Sequence, residues 1–481
     1  MKHATMIAVL LFAVALPAPA KAQSSLPSGT RWLEHLSNEL LPFWTSNAAF
    51  GNPVGTFPST RCDSAALYDE KRPCPEVMDN PWISPQERHL VAMSRQVYGY
   101  GVAFHLTGRG AYLDAMKAGV DFIRQNAMDR VNGGMKTTQN IVDGSWGPAP
   151  EFRNPQELGY GLLGLALYYY LTRDTDVLQD ILAVKNYIFE QYYNRSFGAL
   201  RWLPKSSETA NAGDKQLAAQ LDQLNTYLVL LTPVLPDPPQ SEWKDSLLHL
   251  CDAMIKQFFS PGEKLFFPSS NRPEDKALST AATDFGLNAK ALWMIRWTGL
   301  ITGRPDLVAF AEDNARSLFD RAYLNDCGCW ADGMQQGGTL DVDKTWWIYA
   351  ELSQLAGTLA LRDRIFAHYL PRTYDYWFRR FVDPVYGEVW NSVDGRTHTP
   401  VRKLPKQWKW KNAYHSFEHA LVGYIVAQQL HGNPVTLYYA FLGDPPQSVQ
   451  PYYFLGSTQR IELTISDQGR RLQKIEFKNV Q

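Results

Sequence analysis

A short glycine-containing loop recurs five times along this chain at nearly constant spacing, and it constrains the fold more than any other feature. The loops read DRVNGGMKT, NRSFGALRW, SPGEKLFF, NDCGCWADG and DPVYGEVW, and their glycines are Gly134, Gly198, Gly262, Gly328 and Gly387. Successive glycines lie 64, 64, 66 and 59 residues apart. Each loop follows one helical pattern and precedes another, so the repeating unit is two helices and a short turn. Glycine suits the positive φ that such a turn needs.

The connections inside the helix pairs also resemble one another. The segments FHLTGRGAYL, YYLTRDTDVL and LITGRPDLVAF each place a threonine, then glycine or arginine, between two helices. A final helix near 413–431 needs a partner, which the N-terminal helix at 28–46 can supply. Six hairpins closed into a ring form an all-α (α/α)6 barrel, whose loops frame a funnel at one end. The other helix pairs are predicted over residues 86–128, 155–193, 215–259, 280–322 and 344–380.

The barrel is predicted to be a single catalytic domain over residues 23–433. Residues 434–481 form a C-terminal extension, in which RIELTIS and LQKIEFKNV alternate apolar and polar residues. Such alternation is typical of half-buried strands. We therefore expect a small β appendage of two short strands outside the barrel.

Residues 1–22 are organised like a signal peptide. Lys2 precedes an apolar run from Met6 to Leu16, and Ala20-Lys21-Ala22 matches a cleavage site. The apolar run is shorter than a membrane-spanning helix, and no other run approaches that length. The protein is therefore expected in the periplasm or outside the cell, without membrane attachment after cleavage.

The composition favours a carbohydrate ligand. The 481 residues include 15 Trp, 24 Tyr and 23 Phe, and the flat faces and polar edges of Trp and Tyr suit stacking on sugar rings. The formal net charge of −1 argues against a nucleic-acid partner and against a polybasic membrane-binding surface. We expect an anionic oligo- or polysaccharide as the substrate, and a monomer or homodimer as the assembly.

Five cysteines lie in a chain that is expected to enter an oxidising compartment. Cys62 and Cys74 share one proline-rich loop before the first hairpin and are the pair expected to form a disulfide. Cys251, Cys327 and Cys329 cannot all pair among themselves. The Cys-Gly-Cys spacing has no second cysteine or histidine pair nearby, so neither a metal site nor a cofactor is predicted.

Several segments share a pattern with a known family. They are VAMSRQVYGYGVAFHLTG (91–108), the DRVNGGMKT loop, KTWWIYAELSQLAGTLAL (344–361), FVDPVYGEVWNSVDG (381–395) and KWKNAYHSFEHAL (409–421). These segments resemble the N-acylglucosamine 2-epimerase superfamily, which includes mannose isomerases and cellobiose 2-epimerases. The resemblance spans most of the chain after residue 22 and implies the same barrel. Members invert or isomerise sugars by moving a proton at a carbon next to a carbonyl.

The resemblance implies roles for particular residues. Family members use two essential histidines on inner helices, a third histidine nearby, and an arginine and a tyrosine that hold the substrate. Arg95 falls on the family arginine, and His415 falls on the histidine of the last inner helix. Trp347 and Glu351 match a Trp…Glu pattern of the family.

Two family histidines are missing. Where the family has His-x-x-Glu in the third inner helix, this chain has Asp222 and Asn225. Where it has Gly-His-x-x-Glu in the fourth, this chain reads Gly286-Leu287-Asn288-Ala289-Lys290. Epimerisation needs a base on one face of the carbon and an acid on the other, and imidazole meets that need best. Leu287 cannot carry a proton, so either another residue replaces the histidine or the chemistry differs.

His415 opens an inner helix within a polar, aromatic cluster and is the first catalytic candidate, together with Tyr414 and Arg95. A buried arginine of this kind is either a clamp for a substrate carboxylate or half of an ion pair. Lys411 and Lys409 favour an anionic substrate, with a solvated basic surface as the alternative. The substrate-binding candidates are Tyr98, Asp222, Asn225, Trp346, Trp347, Glu351, Trp390 and Lys411.

The function predicted first is a polysaccharide lyase that cleaves a uronate-containing glycan by β-elimination. Elimination, like epimerisation, begins with removal of a proton next to a carbonyl, so an epimerase-type scaffold needs little change. The alternative is a sugar 2-epimerase or aldose–ketose isomerase. A third interpretation is a sugar-binding protein without chemistry, or a glycoside hydrolase that uses two carboxylates, such as Asp222 with Glu351 or Asp284.

Overall fold

The computed structural model describes residues 25–443, 446, 448–466 and 469–481. The expected signal peptide at 1–22 lies outside the described residues. In the part of the chain that is described, fifteen α-helices dominate and seven small sheets connect them. No helix within that part is both long and apolar enough to cross a membrane.

The helices pair along the chain as the sequence predicts. In chain order they are α1 (Gly29–Glu34), α2 (Leu41–Trp44), α3 (Pro75–Met78), α4 (Leu90–Thr107), α5 (Gly110–Phe122), α6 (Pro155–Thr172), α7 (Thr175–Tyr192), α8 (Leu217–Gln223), α9 (Val229–Leu231), α10 (Pro239–Phe258), α11 (Phe285–Thr302), α12 (Pro305–Ala322), α13 (Trp346–Ala360), α14 (Leu370–Tyr376) and α15 (Ala413–Leu430). π-Helical turns extend or join several of them, at His35–Leu40, Ile123–Ala127, Leu224–Leu228 and Trp377–Phe381.

Six inner helical segments surround the barrel axis. They are α4, α6, α8 with α9, α11, α13 and α15; each packs against the next, and α15 packs against α4 to close the ring. The remaining long helices form the outer layer, where α1 covers α15, as predicted for the N-terminal helix. The all-α (α/α)6 barrel expected from the sequence is thus confirmed.

Burial patterns explain which helices lie inside. Every residue of α6 from Leu158 to Thr172 is buried, which is typical of a helix with protein on all sides. Outer helix α12 instead buries a single stripe that includes Leu307, Ala311, Leu318 and Ala322. Inner helices approach closely at small residues, since a Cβ on Gly164 would lie 2.7 Å from the Ser94 carbonyl oxygen on α4.

Short strands form the turns and a C-terminal sheet. They are β1 (Glu87–His89), β2 (Thr138–Asn140), β3 (Trp146–Gly147), β4 (Tyr193–Asn194), β5 (Ala199–Leu200), β6 (Phe259–Ser260), β7 (Leu265–Phe266), β8 (Thr283–Asp284), β9 (Tyr323–Leu324), β10 (Cys329–Trp330), β11 (Gly333–Met334), β12 (Leu340–Asp341), β13 (Lys344–Thr345), β14 (Ser392–Val393), β15 (Pro400–Val401), β16 (Val435–Tyr439), β17 (Ser457–Ile465) and β18 (Arg471–Lys478). The pairs β4–β5, β6–β7 and β9–β10 are antiparallel hairpins that flank three of the recurring loops.

The recurring loops use the left-handed backbone region as expected, with one exception. Gly134, Gly198, Gly328 and Gly387 have φ values of 68°, 65°, 64° and 74°. In the third loop the residue with positive φ is Lys264, at 54°, two positions after Gly262. Lys264 immediately precedes β7, as Gly198 precedes β5 and Gly328 precedes β10. The turn geometry therefore repeats even where the glycine is displaced.

The C-terminal extension forms a three-stranded antiparallel sheet in the order β16-β18-β17. The sequence analysis predicted β17 and β18 and missed β16. Between β16 and β17, Val449 and residues 451–454 lie outside this sheet and are buried against the barrel.

The cysteines form two disulfides. Cys62 is bonded to Cys74, the pair that the sequence analysis proposed. Cys327 is bonded to Cys329 across a single glycine, a pairing that the sequence analysis did not identify. Cys251 remains a buried thiol.

Candidate active site

All six inner helices begin at the same end of the barrel, and their first two turns enclose a cavity of about 280 Å³. Two further residues complete the wall, Asp284 at the end of β8 and Trp410 in the loop before α15. The lining residues are Arg95, Gln156, Tyr160, Ala218, Asp222, Asp284, Leu287, Lys290, Trp346, Trp347, Trp410 and His415.

One polar side chain from each inner helix lies at the same level of the barrel. These are the sixth residues of α4, α6, α8, α11, α13 and α15, and all six are buried. Arg95 lies over the Tyr160 ring, Asp222 contacts both Tyr160 and Lys290, and the charges of Lys290 and Glu418 act on Glu351. We call the set the polar layer: Arg95, Tyr160, Asp222, Lys290, Glu351 and Glu418.

Lys290 and Asp222 form a buried ion pair in the polar layer. Lys290 Nζ lies 3.0 Å from Asp222 Oδ1, which also accepts a hydrogen bond of 3.1 Å from the Tyr160 hydroxyl. Gln156 donates to the other Asp222 oxygen at 2.8 Å. Burial disfavours the charged form of Lys290, but the nearby carboxylates, Asp222 first, raise its pKa overall, so the ammonium stays charged.

Sequence reasoning noted Lys290 only as a departure from the family pattern and did not identify it as a site residue. A signal was available, because aligning the six inner helices by their first residues places a polar side chain at the sixth position of every one. The pairing with Asp222, 68 positions away, required the fold.

His415 lies beside two buried carboxyl groups. Its Nδ1 is 3.3 Å from Glu351 Oε1, although the angles do not make a hydrogen bond and neither atom has another partner among the described residues. Burial, with the positive charges of Lys290, Arg95 and Lys411, holds the pKa of His415 well below its usual value. The imidazole is therefore neutral and able to accept a proton.

The two carboxyl groups are themselves perturbed. Burial raises the pKa of Glu351 and of Glu418, and the charge of Glu418 raises that of Glu351 further. Trp293 Nε1 donates to Glu351 Oε2 at 2.9 Å, and Tyr452 donates to Glu418 Oε1 at 2.7 Å. Protons thus bind within this cluster more strongly than at ordinary carboxylates.

Glu351, His415 and Glu418 also have the ligand types of a divalent-metal site, with side-chain atoms within 4.8 Å of one another. The Lys290 ammonium acts on all three, because its charge lowers the pKa of both carboxyl groups and of the imidazole. A cation fixed at this position repels a second one. We therefore interpret these three residues as a proton-holding cluster.

Arg95 is held in place without a carboxylate. Its guanidinium group lies 3.9 Å from the ring centre of Tyr160 and 5.4 Å from that of Trp410, whose carbonyl oxygen accepts from Nη1. Its Nε has no hydrogen-bond partner among the described residues, and no carboxylate there lies within ion-pair distance. The sequence analysis allowed two roles for Arg95, a clamp for a substrate carboxylate or half of an ion pair. The ion pair is absent from the described part of the chain, so Arg95 is free to bind a ligand.

The other predicted site residues fall into three groups. Trp346 and Trp347 line the cavity, and their rings lie 6.4 and 5.9 Å from that of His415. Tyr98, Tyr414 and Asn225 lie behind the cavity wall, where the Tyr414 hydroxyl donates to Asn225 Oδ1 at 2.9 Å.

Lys411 and Trp390 do not line the cavity. Lys411 is fully buried and its Nζ lies 2.7 Å from Glu388 Oε1. It therefore neither faces a substrate nor belongs to a solvated basic surface, the two alternatives expected from the sequence. Lys409 pairs with Glu157 at 2.6 Å. Trp390 packs beneath Arg402, whose guanidinium carbon lies 4.6 Å from the ring centre.

Known proteins share this fold. No family model matches the sequence. A cellobiose 2-epimerase from Ruminococcus albus is 22% identical over 356 residues, which cover 69% of this chain and 85% of that protein. The structure of cellobiose 2-epimerase from Bacillus thermoamylovorans B4167 matches with a TM-score of 0.69 and 18% identity, over 83% of this chain and 99% of that one.

A crystal structure of D-mannose isomerase matches with a TM-score of 0.67 and 14% identity, over 85% of this chain and all of that one. Fold and cavity therefore define an (α/α)6 barrel with a polar site at the N-terminal ends of its inner helices. The resemblance to the N-acylglucosamine 2-epimerase superfamily, seen first in the sequence motifs, is confirmed.

Proposed function

We propose that the protein is a sugar isomerase that moves a proton between neighbouring carbons of an open-chain sugar. The observation that carries this proposal is a neutral imidazole, His415, in one cavity with two buried cations, Arg95 and Lys290. The similarity to a cellobiose 2-epimerase and a D-mannose isomerase supports a sugar epimerase or isomerase, which was the alternative in the sequence analysis. It gives no support to the β-elimination that the sequence analysis predicted first.

The reaction follows from the charges in the cavity. His415 takes the proton from the carbon next to the sugar carbonyl, so the C–H bond breaks and its electron pair forms the double bond of an enediolate. The negative charge gathers on the former carbonyl oxygen, which the Lys290 ammonium stabilises. The proton of the neighbouring hydroxyl moves to the former carbonyl oxygen, so that a carbonyl forms at the carbon that lost its proton. The imidazolium, next to Glu351, returns its proton to the former carbonyl carbon, which completes the ketose.

A single imidazole favours isomerisation over epimerisation. In aldose–ketose isomerisation one group can remove a proton from one carbon and return it to the next on the same face. Epimerisation at one carbon needs a second proton carrier on the opposite face. Leu287, at a family histidine position, cannot carry a proton, and Lys290 holds its proton too tightly because its pKa is raised.

The cavity also suits a sugar that bears a negative charge. Arg95 lines it without a carboxylate partner among the described residues, and its buried Nε is unpaired. Six helix N-termini, each with a partial positive charge, converge on the same space. We propose that Arg95 binds the carboxylate of a uronic acid while Lys290 faces the reacting oxygen.

The experiment is a substrate panel followed by proton NMR. Purified protein is incubated with neutral aldoses and with uronic acids, free and as reducing ends of oligosaccharides. We expect a ketose product, formed faster from the uronic acids, and we expect Arg95→Gln to remove that preference. An unsaturated uronate would instead establish elimination, and the 2-epimer alone would establish epimerisation.

A second candidate, glycoside hydrolysis, is favoured by one observation. Asp284 and Asp222 both line the cavity, and burial raises the pKa of Asp284 to about 6, in the range of a glycosidase general acid. Asp284 also accepts the Leu287 N–H at 2.6 Å, and Asp284→Asn keeps that helix cap. Release of reducing sugar that this substitution abolishes would support hydrolysis.

A further inference from the structure

Residues 448–454, which precede β17, enter the barrel from the end opposite the cavity. Near the end of α6, Leu171 accepts a hydrogen bond from the Ala440 N–H, and the Tyr170 hydroxyl donates to the carbonyl oxygen of Gln450. From there Tyr452 and Tyr453 extend along the barrel axis and are buried beneath the polar layer. Residues 451–454 are thus part of the barrel interior.

Tyr452 contacts one carboxyl group of the proton-holding cluster directly. Its hydroxyl donates to Glu418 Oε1 at 2.7 Å and is also hydrogen-bonded to the Tyr98 hydroxyl. The Tyr452 backbone has φ of +62°, in the left-handed region that side chains rarely adopt. The Tyr170 hydroxyl accepts from the Tyr452 N–H at 2.8 Å, which helps to fix this unusual conformation. Such strain persists where surrounding contacts determine it, and it often accompanies function.

Tyr453 reaches the other carboxyl group through a tryptophan. Its ring centre lies 5.0 Å from that of Trp293, and Trp293 donates to Glu351 Oε2. Its hydroxyl donates to the backbone oxygen of Asn225 at 3.4 Å and is hydrogen-bonded to no carboxylate among the described residues. Adjacent tyrosines of one segment therefore support Glu418 and Glu351, the two acidic neighbours of His415.

We propose that residues 448–454 of the C-terminal extension are a working part of the active site, in which Tyr452 positions Glu418. Tyr453 supports Glu351 by packing alone. Both are positioning residues, because they act on His415 through the carboxyl groups. The activity measurement below rests on the proposed isomerase function, whereas the spectroscopic one does not.

The charges around the cluster indicate the direction of the effect. Burial raises the pKa of Glu418, and the Tyr452 hydrogen bond is the largest influence that lowers it. Removing the hydroxyl therefore raises the pKa of Glu418 further. The titratable and charged groups that act on the cluster from neighbouring elements are Lys290, Arg95, Lys411, Asp222, Tyr98, Tyr414 and Tyr453.

Tyr452→Phe and Tyr453→Phe form a matched pair, since each removes one buried hydroxyl from the same segment. Infrared pH titration of the protonated-carboxyl band, assigned with Glu418→Gln, needs no substrate. We expect Tyr452→Phe to move the Glu418 titration to higher pH and Tyr453→Phe to leave it unchanged. In turnover, we expect Tyr452→Phe to lower kcat roughly 10- to 100-fold with KM unchanged, and to move the acid limb of the pH profile upward.

Each outcome decides the proposal. A folded Tyr452→Phe whose carboxyl titration matches the wild type would overturn it, as would an equal shift in Tyr453→Phe. If the shift occurs but no sugar is isomerised, the proposed function fails and the positioning role stands. If Tyr452→Phe does not fold, Glu418→Gln replaces it in turnover, because it removes the titrating group and keeps an acceptor for Tyr452. Wild-type kcat in that variant would also overturn the proposal.

Discussion

His415 is an imidazole that its surroundings keep neutral. Burial and three nearby cations lower its pKa, while Glu351 Oε1 lies 3.3 Å from Nδ1, ready to stabilise the imidazolium once a proton arrives. A general base needs both properties, a free electron pair before the proton transfer and a stabilised positive charge after it.

If His415 carries the proton, His415→Ala should lower kcat by about 10²–10⁴-fold. His415→Gln should do almost the same, because an amide can reproduce a hydrogen bond but cannot titrate. Steady-state kinetics at several pH values measure both variants, with near-ultraviolet circular dichroism to confirm the fold. Near-wild-type kcat in the Gln variant would reduce His415 to a positioning residue and direct the search for the base to Tyr160 and Asp284, which line the cavity.

Lys290 and Asp222 have separable roles in stability and activity. Lys290→Met leaves the Asp222 carboxylate buried without its cation and should destabilise the protein by roughly 3–5 kcal/mol. Adding Asp222→Leu removes the stranded charge and should restore most of that stability, as denaturant unfolding would measure. Activity should remain lost in both variants. A double variant that turns over at the wild-type rate would limit the pair to a structural role.

At the residue scale, sequence patterns predict which positions belong to the site better than they predict which side chains pair with one another. Motif resemblance placed Arg95, Trp347, Glu351 and His415 in one site, and the structure gathers all four around the cavity or its polar layer. Lys411 was interpreted as a substrate-facing cation because nothing in the sequence links it to Glu388, on a separate loop. Which charges neutralise each other depends on contacts between elements, which a single sequence does not record.

The recurring turns show how an element can keep its geometry while its sequence varies. Four of the five glycines occupy the left-handed region, and the third loop places Lys264 there instead. The repeat was recognisable from the glycines because only they tolerate this region without strain. The shifted position in the third loop was not predictable, since a glycine two residues earlier, Gly262, satisfied the pattern.

Lys264→Gly should therefore stabilise the protein. The substitution removes the backbone strain of a lysine in the left-handed region, which costs ~1–2 kcal/mol. Part of this gain is lost because glycine makes the unfolded chain more flexible, which lowers the free energy of unfolding by ~0.5–1 kcal/mol. We expect a net gain of about 0.5–1 kcal/mol in the free energy of unfolding, measured with urea.

Two substitutions serve as controls for Lys264→Gly. Lys264→Ala keeps the strained conformation and should give little gain. Gly198→Ala, at the equivalent position of another loop with open space around its Cα, should cost ~1 kcal/mol. A loss of stability in Lys264→Gly would show that the lysine side chain contributes contacts that outweigh the strain.

The C-terminal extension was the least predictable part of the chain. Apolar and polar residues alternate clearly in its strands β17 and β18, but residues 449–454 have neither a helical nor a strand period that would predict their place. Tyr452 meets Tyr98 across 354 positions of sequence, so only the closed barrel brings them together. The sequence therefore predicted a β appendage, while the part of it that reaches the polar layer came from the structure.

At the scale of the molecule, the barrel topology builds the site. Each hairpin returns the chain to the same end, so all six inner helices start around one cavity and present their sixth residues at one level. The convergence of N-termini favours negative charge in the cavity, and burial strengthens every interaction there. Ring closure was predictable from the repeat, and the mixed charge of the layer was not, because it depends on one residue from each helix.

The central claim is that His415 moves a proton away from the carbon next to a sugar carbonyl. The most direct test follows deuterium placed at C2 of the best substrate from the NMR panel, with wild-type protein and with His415→Gln. We expect the label to leave C2, to appear at C1 of a ketose or in water, and to stay in place with the variant. A product that keeps the whole label at C2, whether formed by elimination or by hydrolysis, would contradict the account.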